Sequence, residues 1–257
     1  MFNMIQTAER VSQHDQSDNY VFQRSILAYH KAAEIVNGKV LELGTGMGYG
    51  IEIVAPKCDE FVTLDKHLPG IPFEDHKNVR FMQQTFPPFS NVEDNYFDFV
   101  ITFQVIEHMQ DDHFFLKEIH RVLKPGGKVI VTTPNKPMSI TRNPWHIREY
   151  FIHELKDLML TYYSSVNAQG VFGDQVVQNY YTKNKESVKR ITRFDIFNLQ
   201  YNLPRWALQI PYDILNRWNR KKLLIQNTQL TSGITMDNYS ISEAEEGCYD
   251  LFYIATK

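Results

Sequence analysis

The chain has 257 residues, 43% apolar and 22% charged, enough for one large globular domain or a core domain carrying an insertion. Its net charge of −3 gives no overall pull toward nucleic acid or membrane. Cys58 and Cys248 lie far apart and in no Cys-x-x-Cys pair, which argues against a disulfide framework or zinc site and for a reducing compartment. The first residues lack a basic start followed by an apolar run, and no later run approaches the ~18 apolar residues of a membrane span. A cytoplasmic protein is expected.

In chain order, residues 20–36 carry apolar side chains at helical spacing and end at Asn37-Gly38, a helix stop. The apolar strand Lys39–Leu43 follows, with an acid at Glu42, and runs into Gly44, Gly46, Gly48 and Gly50. A buried strand entering a glycine turn lets a ligand lie against bare backbone. The spacing excludes a dinucleotide fingerprint, because Tyr49 and Ile51 stand where its third glycine would fall. It also excludes a P-loop, since no Gly-Lys-Ser/Thr occurs. An acid beside the turn suits a ligand carrying a cation rather than phosphates.

A second strand, Phe61–Leu64, ends at Asp65, and the loop-like residues after it leave the next helix short or missing. Val79–Met82 reads as strand three and Phe97–Thr102 as strand four. A helix with apolar Phe114, Phe115, Ile119, Val122 and Leu123 stops before Pro125-Gly126-Gly127, and strand five is Lys128–Thr133. Residues 149–163 read as helix, Ser165–Gly170 as strand, and the last ten residues as a final buried strand. Alternation of this kind predicts a doubly wound α/β fold with a mostly parallel sheet.

The pattern Glu-x-Gly-x-Gly-x-Gly resembles the first motif of class I S-adenosylmethionine (SAM) methyltransferases. Asp65, 21 residues after Gly44, stands where an acid accepts both ribose hydroxyls. The stretches NYFDFVITFQVIEHMQD and LKPGGKVIVTTPN are similar to the fourth- and fifth-strand regions of the ubiquinone-biosynthesis-like and domain-11-like methyltransferases, and residues 20–155 follow that family almost continuously. The resemblance implies a Rossmann-like sheet of seven strands with an antiparallel last strand, and SAM as cofactor. It implies a cofactor set of Glu42, Gly44, Gly46, Gly48, Asp65, Lys66, Thr85, Phe86 and Gln104. At the adenine loop the family commonly has Gly-Asp, whereas this chain has Gln84-Thr85 and then Phe86.

Methyl transfer is an in-line displacement that needs mainly alignment, and a base only where the acceptor is a hydroxyl or protonated amine. His146, in NPWHIREY, is the candidate base; otherwise its ring packs or caps the helix carrying Glu149. His108 follows strand four, with a bond to backbone at the next helix as its structural reading. His108, Tyr150, Arg24 and Tyr29 form the candidate substrate set, the last two either packing in the core or closing over the methionine end. His113 and His120, among Asp111, Asp112 and Glu118, read as a wet surface rather than a metal site.

The single methyltransferase domain would carry an N-terminal helical cap, residues 1–37, and a helical insertion, residues 171–228, as substrate lid. Lys183 to Lys222 holds ten Lys/Arg against three acids, so it reads as a solvated lid or as recognition of an anionic acceptor. Its RWNRKK patch would also suit a membrane surface or RNA backbone. The expected function is methyl transfer to a small or carrier-linked acceptor, at oxygen, with an acceptor of sugar or secondary-metabolite type. An RNA methyltransferase and a non-catalytic SAM-binding protein are the alternatives.

Overall fold

Short runs rich in Val, Ile and Phe build the centre of one sheet, because such side chains fill a surface buried on both faces. A computed structural model describes residues 11–257 apart from residue 74. It divides into two compact units, one comprising Ser25–Met138, Arg148–Phe172 and Ile241–Lys257, the other Gly173–Ser240 with Ser139–Ile147 and the chain up to Arg24. Residues 1–10 of the expected cap lie outside the described residues.

The first unit is built on strands β1 (Lys39–Leu43), β2 (Glu60–Asp65), β3 (Val79–Gln83), β4 (Phe97–Phe103), β5 (Leu123–Pro134), β6 (Ser165–Gly173), β7 (Tyr239–Glu243) and β8 (Asp250–Thr256). Their order in the sheet is β3-β2-β1-β4-β5-β8-β6-β7. β1 to β5 pair in parallel, while β8 runs antiparallel to both β5 and β6. Among the described residues the sheet has eight strands where seven are expected. The extra one, β7, is largely solvent-facing, so it lacks the apolar run that marks the others.

Helix α1 (Asn19–Ala33) precedes β1, and α2 (Tyr49–Ile53) follows the glycine turn. No helix joins β2 to β3 among the described residues, as the loop composition predicts. Helix α3 (Asp112–Val122) is capped by Asp111, whose carboxylate accepts from the Phe114 amide at 2.8 Å. Its apolar face, Phe115, Leu116, Ile119 and Val122, joins the core formed by β1, β2, β4 and β5. β5 begins at Leu123, five residues earlier than expected, because Pro-Gly-Gly forms an irregularity in the ladder with β4 rather than ending it. Helix α4 (Ile152–Leu160) is shorter than the expected 149–163.

The second unit is helical, with α5 (Gln175–Thr192), α6 (Leu199–Asn202), α7 (Arg205–Gln226) and α8 (Thr228–Gly233). Asp18 is its buried anchor, ion-paired to Arg217 at 2.6 Å and Arg220 at 2.8 Å. Tyr20 stacks on Tyr180 with ring centroids 4.4 Å apart, and Tyr239 donates to the Tyr20 carbonyl at 2.7 Å. The 139–147 stretch is tied in by Trp145 donating to Asp213 at 3.1 Å and Arg205 donating to the Ile147 carbonyl at 2.6 Å. No helix among the described residues is long and apolar enough to cross a membrane.

Candidate functional site

In an open parallel sheet, ligands bind beyond the carboxyl ends of the strands where the strand order reverses. That point lies between β1 and β4, and the chain segments leaving β1, β2, β3 and β4 carry Gly44–Gly50, Asp65, Thr85-Phe86 and Gln104. The sheet register therefore gathers one cluster from four segments that are distant in sequence.

Gly44, Gly46 and Gly48 all have positive φ, at 90°, 55° and 102°. A Cβ at Gly46 would meet nothing within 4 Å, so its backbone faces open space. A Cβ at Gly50 would collide with a carboxylate oxygen of Glu42, so the start of α2 sits directly on that acid. Asp65 fastens the turn from the neighbouring strand: one oxygen accepts from the Gly46 amide at 3.0 Å, the other from the His67 amide at 2.9 Å. Lys66 is exposed beside it.

Glu42 is almost wholly buried, at 1% exposure. Thr63, its register partner on β2, donates to one carboxylate oxygen at 2.5 Å and is itself bonded to Thr45. The other oxygen is buried without a hydrogen bond of good geometry among the described residues. Burial lifts the carboxyl to about 8; the hydroxyls of Thr63 and Tyr29 pull against that, and the nearby Asp65 adds to it. Tyr29 is buried, its ring edge-on to Phe103 at 4.9 Å, and burial together with Glu42 holds its hydroxyl well above the usual range. Of the two α1 candidates, Tyr29 therefore sits at the carboxylate. Arg24 belongs to the helical unit, with its guanidinium over the Tyr20 ring at 5.6 Å.

Gln104 adopts φ 57°, a left-handed conformation that costs a non-glycine residue about 1–3 kcal/mol. Its amide donates to the Thr132 carbonyl at 2.9 Å, and its side chain reaches the Thr132 hydroxyl at 3.3 Å. Thr85 is exposed, while the half-buried Phe86 stacks on Phe115 at 6.2 Å.

His108 closes a 3-10 turn, Ile106–His108, and its amide bonds the Val105 carbonyl at 2.9 Å. Tyr150 is fully buried, and its hydroxyl donates to Asp112 at 2.8 Å, so this phenol is committed to the fold. His146 lies in the helical unit, buried, with Nε2 at 2.8 Å from the Asn143 side-chain amide. If that nitrogen is the amide NH2, Nε2 accepts and the imidazole proton sits on Nδ1. His113 contacts the Tyr162 hydroxyl at 3.0 Å, and His120 lies edge-on to Tyr163 at 5.8 Å.

Thr63 and Thr45 are absent from the sequence-derived set. The signal was a lone threonine inside the apolar strand Glu60–Asp65, at the position that faces Glu42 across the ladder.

The family described as "Methyltransferase domain" matches residues 16–183, and the chain belongs to it. A "Probable S-adenosylmethionine-dependent methyltransferase" of Mycolicibacterium smegmatis is 33% identical over 165 residues, 60% of this chain and 63% of that protein. A protein of the same description from Mycobacterium tuberculosis is 32% identical over 162 residues, 60% of this chain and 59% of its own length. The chain thus spans about three fifths of these curated relatives, at 63% and 59%. A "possible histamine N-methyltransferase" structure from Thermotoga maritima superposes with a TM-score of 0.56 at 15% identity, over 93% of this chain and 92% of that one. At that identity the likeness establishes the fold.

Proposed function

We propose that the chain transfers a methyl group from SAM to a small or carrier-linked acceptor, at oxygen. The observation that carries the reading is the orphaned, buried oxygen of Glu42 against Gly50, in the same turn whose Gly46 backbone faces open space. A buried carboxylate oxygen without a partner is costly unless a cation arrives, and an α-ammonium supplies one. SAM also supplies a methyl carbon already activated by a neighbouring sulfonium. The residues present fit that group: Glu42 would take the ammonium, Asp65 the ribose hydroxyls, Thr85 and Phe86 the adenine, and Gln104 the wall of the pocket.

The protein's own contribution is alignment, which can supply roughly 7–11 kcal/mol of barrier reduction when reacting atoms are held in line. His146 is the proposed base, and it would take the acceptor proton on Nε2 once the acceptor hydroxyl replaces the Asn143 amide that occupies that nitrogen. Residues 171–228 are proposed to serve as the substrate lid, and the cytoplasm is the proposed location. The curated relatives that match over shorter stretches include a ubiquinone-biosynthesis O-methyltransferase of Dictyostelium discoideum, 34% identical over 62 residues, whose description supports oxygen as the acceptor atom.

The test is calorimetry with SAM and its demethylated product, then transfer of labelled methyl into fractions of a cell extract. Binding followed by label in a small-molecule or lipid fraction is the expected result. Label in RNA, or binding with no label anywhere, would replace the reading by one of its alternatives. With an acceptor in hand, His146→Ala should reduce kcat by about 10²–10⁴-fold while KM changes little.

A further inference from the structure

The helical unit wears α7 inside out. The face that α7 turns inward is largely polar: beside the buried Leu223, Asn219 bonds Ser187 and Asn184, each at 2.7 Å, and Arg217 and Arg220 pair with Asp18. The outward face is apolar. Trp206, Ile210, Ile214 and Trp218 recur every four residues, and with Ile225 they are between 52% and 78% exposed. The segment leading into α7 also exposes Phe194, Ile196, Phe197 and Leu199. An ordinary surface helix has the opposite polarity, and an apolar area of this extent on a soluble face marks a binding surface.

The charges around the patch say what covers it. The two acids between Arg193 and Lys222 are turned to local work: Asp195 accepts from the Leu199 and Gln200 amides at 2.7 and 3.1 Å, and Asp213 accepts from Trp145. The outward charges are mostly basic, with the exposed Glu186 offsetting Arg190 at 3.8 Å. Lys189, Arg190, Arg193 and Lys221 are exposed, and Lys221 lies three residues after Trp218 and four before Ile225, on the apolar face itself. Lys222 sits 5.1 Å over the Trp218 ring and Arg193 5.1 Å over the Phe194 ring. Apolar anchors, two tryptophans and long cations that can extend their heads away from the apolar stem are the composition of a helix that lies in a lipid headgroup layer.

We propose that this face docks onto an anionic lipid bilayer, with α7 lying in the plane of the interface rather than crossing it. The site goes beyond the methyl-transfer reading and stands independently of it.

The experiment is flotation of the full chain with phosphatidylglycerol/phosphatidylcholine vesicles, and with phosphatidylcholine alone, in the absence of SAM. Binding to the anionic vesicles, weakened by salt and accompanied by a blue shift of tryptophan emission, is the expected result. Trp206→Asp combined with Ile210→Asp should abolish it, and Lys221→Glu should weaken it at least about fivefold, the worth of one surface cation. Both variants change exposed positions, so their melting curves should match the parent and exclude misfolding. Failure to float at low salt, or variants that float like the parent, would overturn the proposal. So would a dimer that the Trp206/Ile210 variant dissolves in the absence of vesicle binding, or RNA binding that Lys221→Glu alone weakens. Vesicle binding and methyl transfer are separate readouts, so either can fail while the other stands.

Discussion

The two units bury a carboxylate each, and they do so in opposite ways. In the helical unit Asp18 is fully buried against two guanidiniums, so its charge is answered within the protein. In the sheet unit Glu42 is buried as deeply, but only hydroxyls face it and one oxygen has no good donor. A paired buried charge is a strut, which matters because removing one partner strands the other. Glu42 is instead held neutral near pH 7 by its raised pKa, and a cation is its proposed partner. The contrast separates a structural acid from the acid proposed to bind ligand.

Substitution at the strut should have the largest effect. Asp18→Ala leaves Arg217 and Arg220 facing a buried gap and should cost about 3–5 kcal/mol, read as an earlier calorimetric transition. A melting curve like that of the parent would mean that solvent already screens those arginines.

Glu42→Gln should behave in the opposite sense. It should weaken binding of SAM by about 1.5–3 kcal/mol, the worth of a charge-assisted hydrogen bond, while leaving the protein folded. The folded carboxyl titrates at about 8 rather than 4.5, so it keeps a proton that the unfolded chain loses as pH rises through 4.5. Its contribution is therefore full below the unfolded value and is lost progressively as pH rises from about 4.5 to about 8. Thermal scans at pH 5 and pH 8 should show Glu42→Gln closing part of the parent's gap. An equal gap in both proteins would place the carboxyl at an ordinary pKa.

A subtler test sharpens the same point. If an ammonium lands on Glu42, binding at pH 7 must expel the carboxyl proton. Calorimetry at pH 7 in buffers of different ionisation enthalpy should then report nearly one proton released. Proton release of zero would detach Glu42 from the ligand.

The smallest effect is expected at Thr63→Val. Losing the hydroxyl that donates to Glu42 should raise the carboxyl further and weaken SAM binding by about 0.5–1.5 kcal/mol. A gain in affinity would show that Thr63 competes with the ligand rather than supporting its site.

Much of the sheet unit was legible before any coordinates. Strands β1, β2 and β5 carry apolar runs closed by Gly, Asp and Pro, and a strand buried on both faces needs such a run. Glu42 and the glycines were legible because they interrupt that regularity at its carboxyl end. β7 escaped notice because a short edge strand open to solvent carries almost no apolar signal. Thr63 escaped because its role depends on register, which sets Glu42 opposite it and is invisible along one strand. Tyr150 read as a substrate contact, and only the fold revealed that Asp112 already holds its hydroxyl.

By itself, the sequence determined the periodicities, and with them the parallel α/β sheet, the bare glycine turn and the acid beside it, because local steric and burial preferences act on neighbours in the chain. Tertiary structure alone decided which charges are answered. Asp18 meets Arg217 across 199 residues and Glu42 meets Thr63 across 21, and Coulomb and desolvation energies depend on distance in space rather than along the chain.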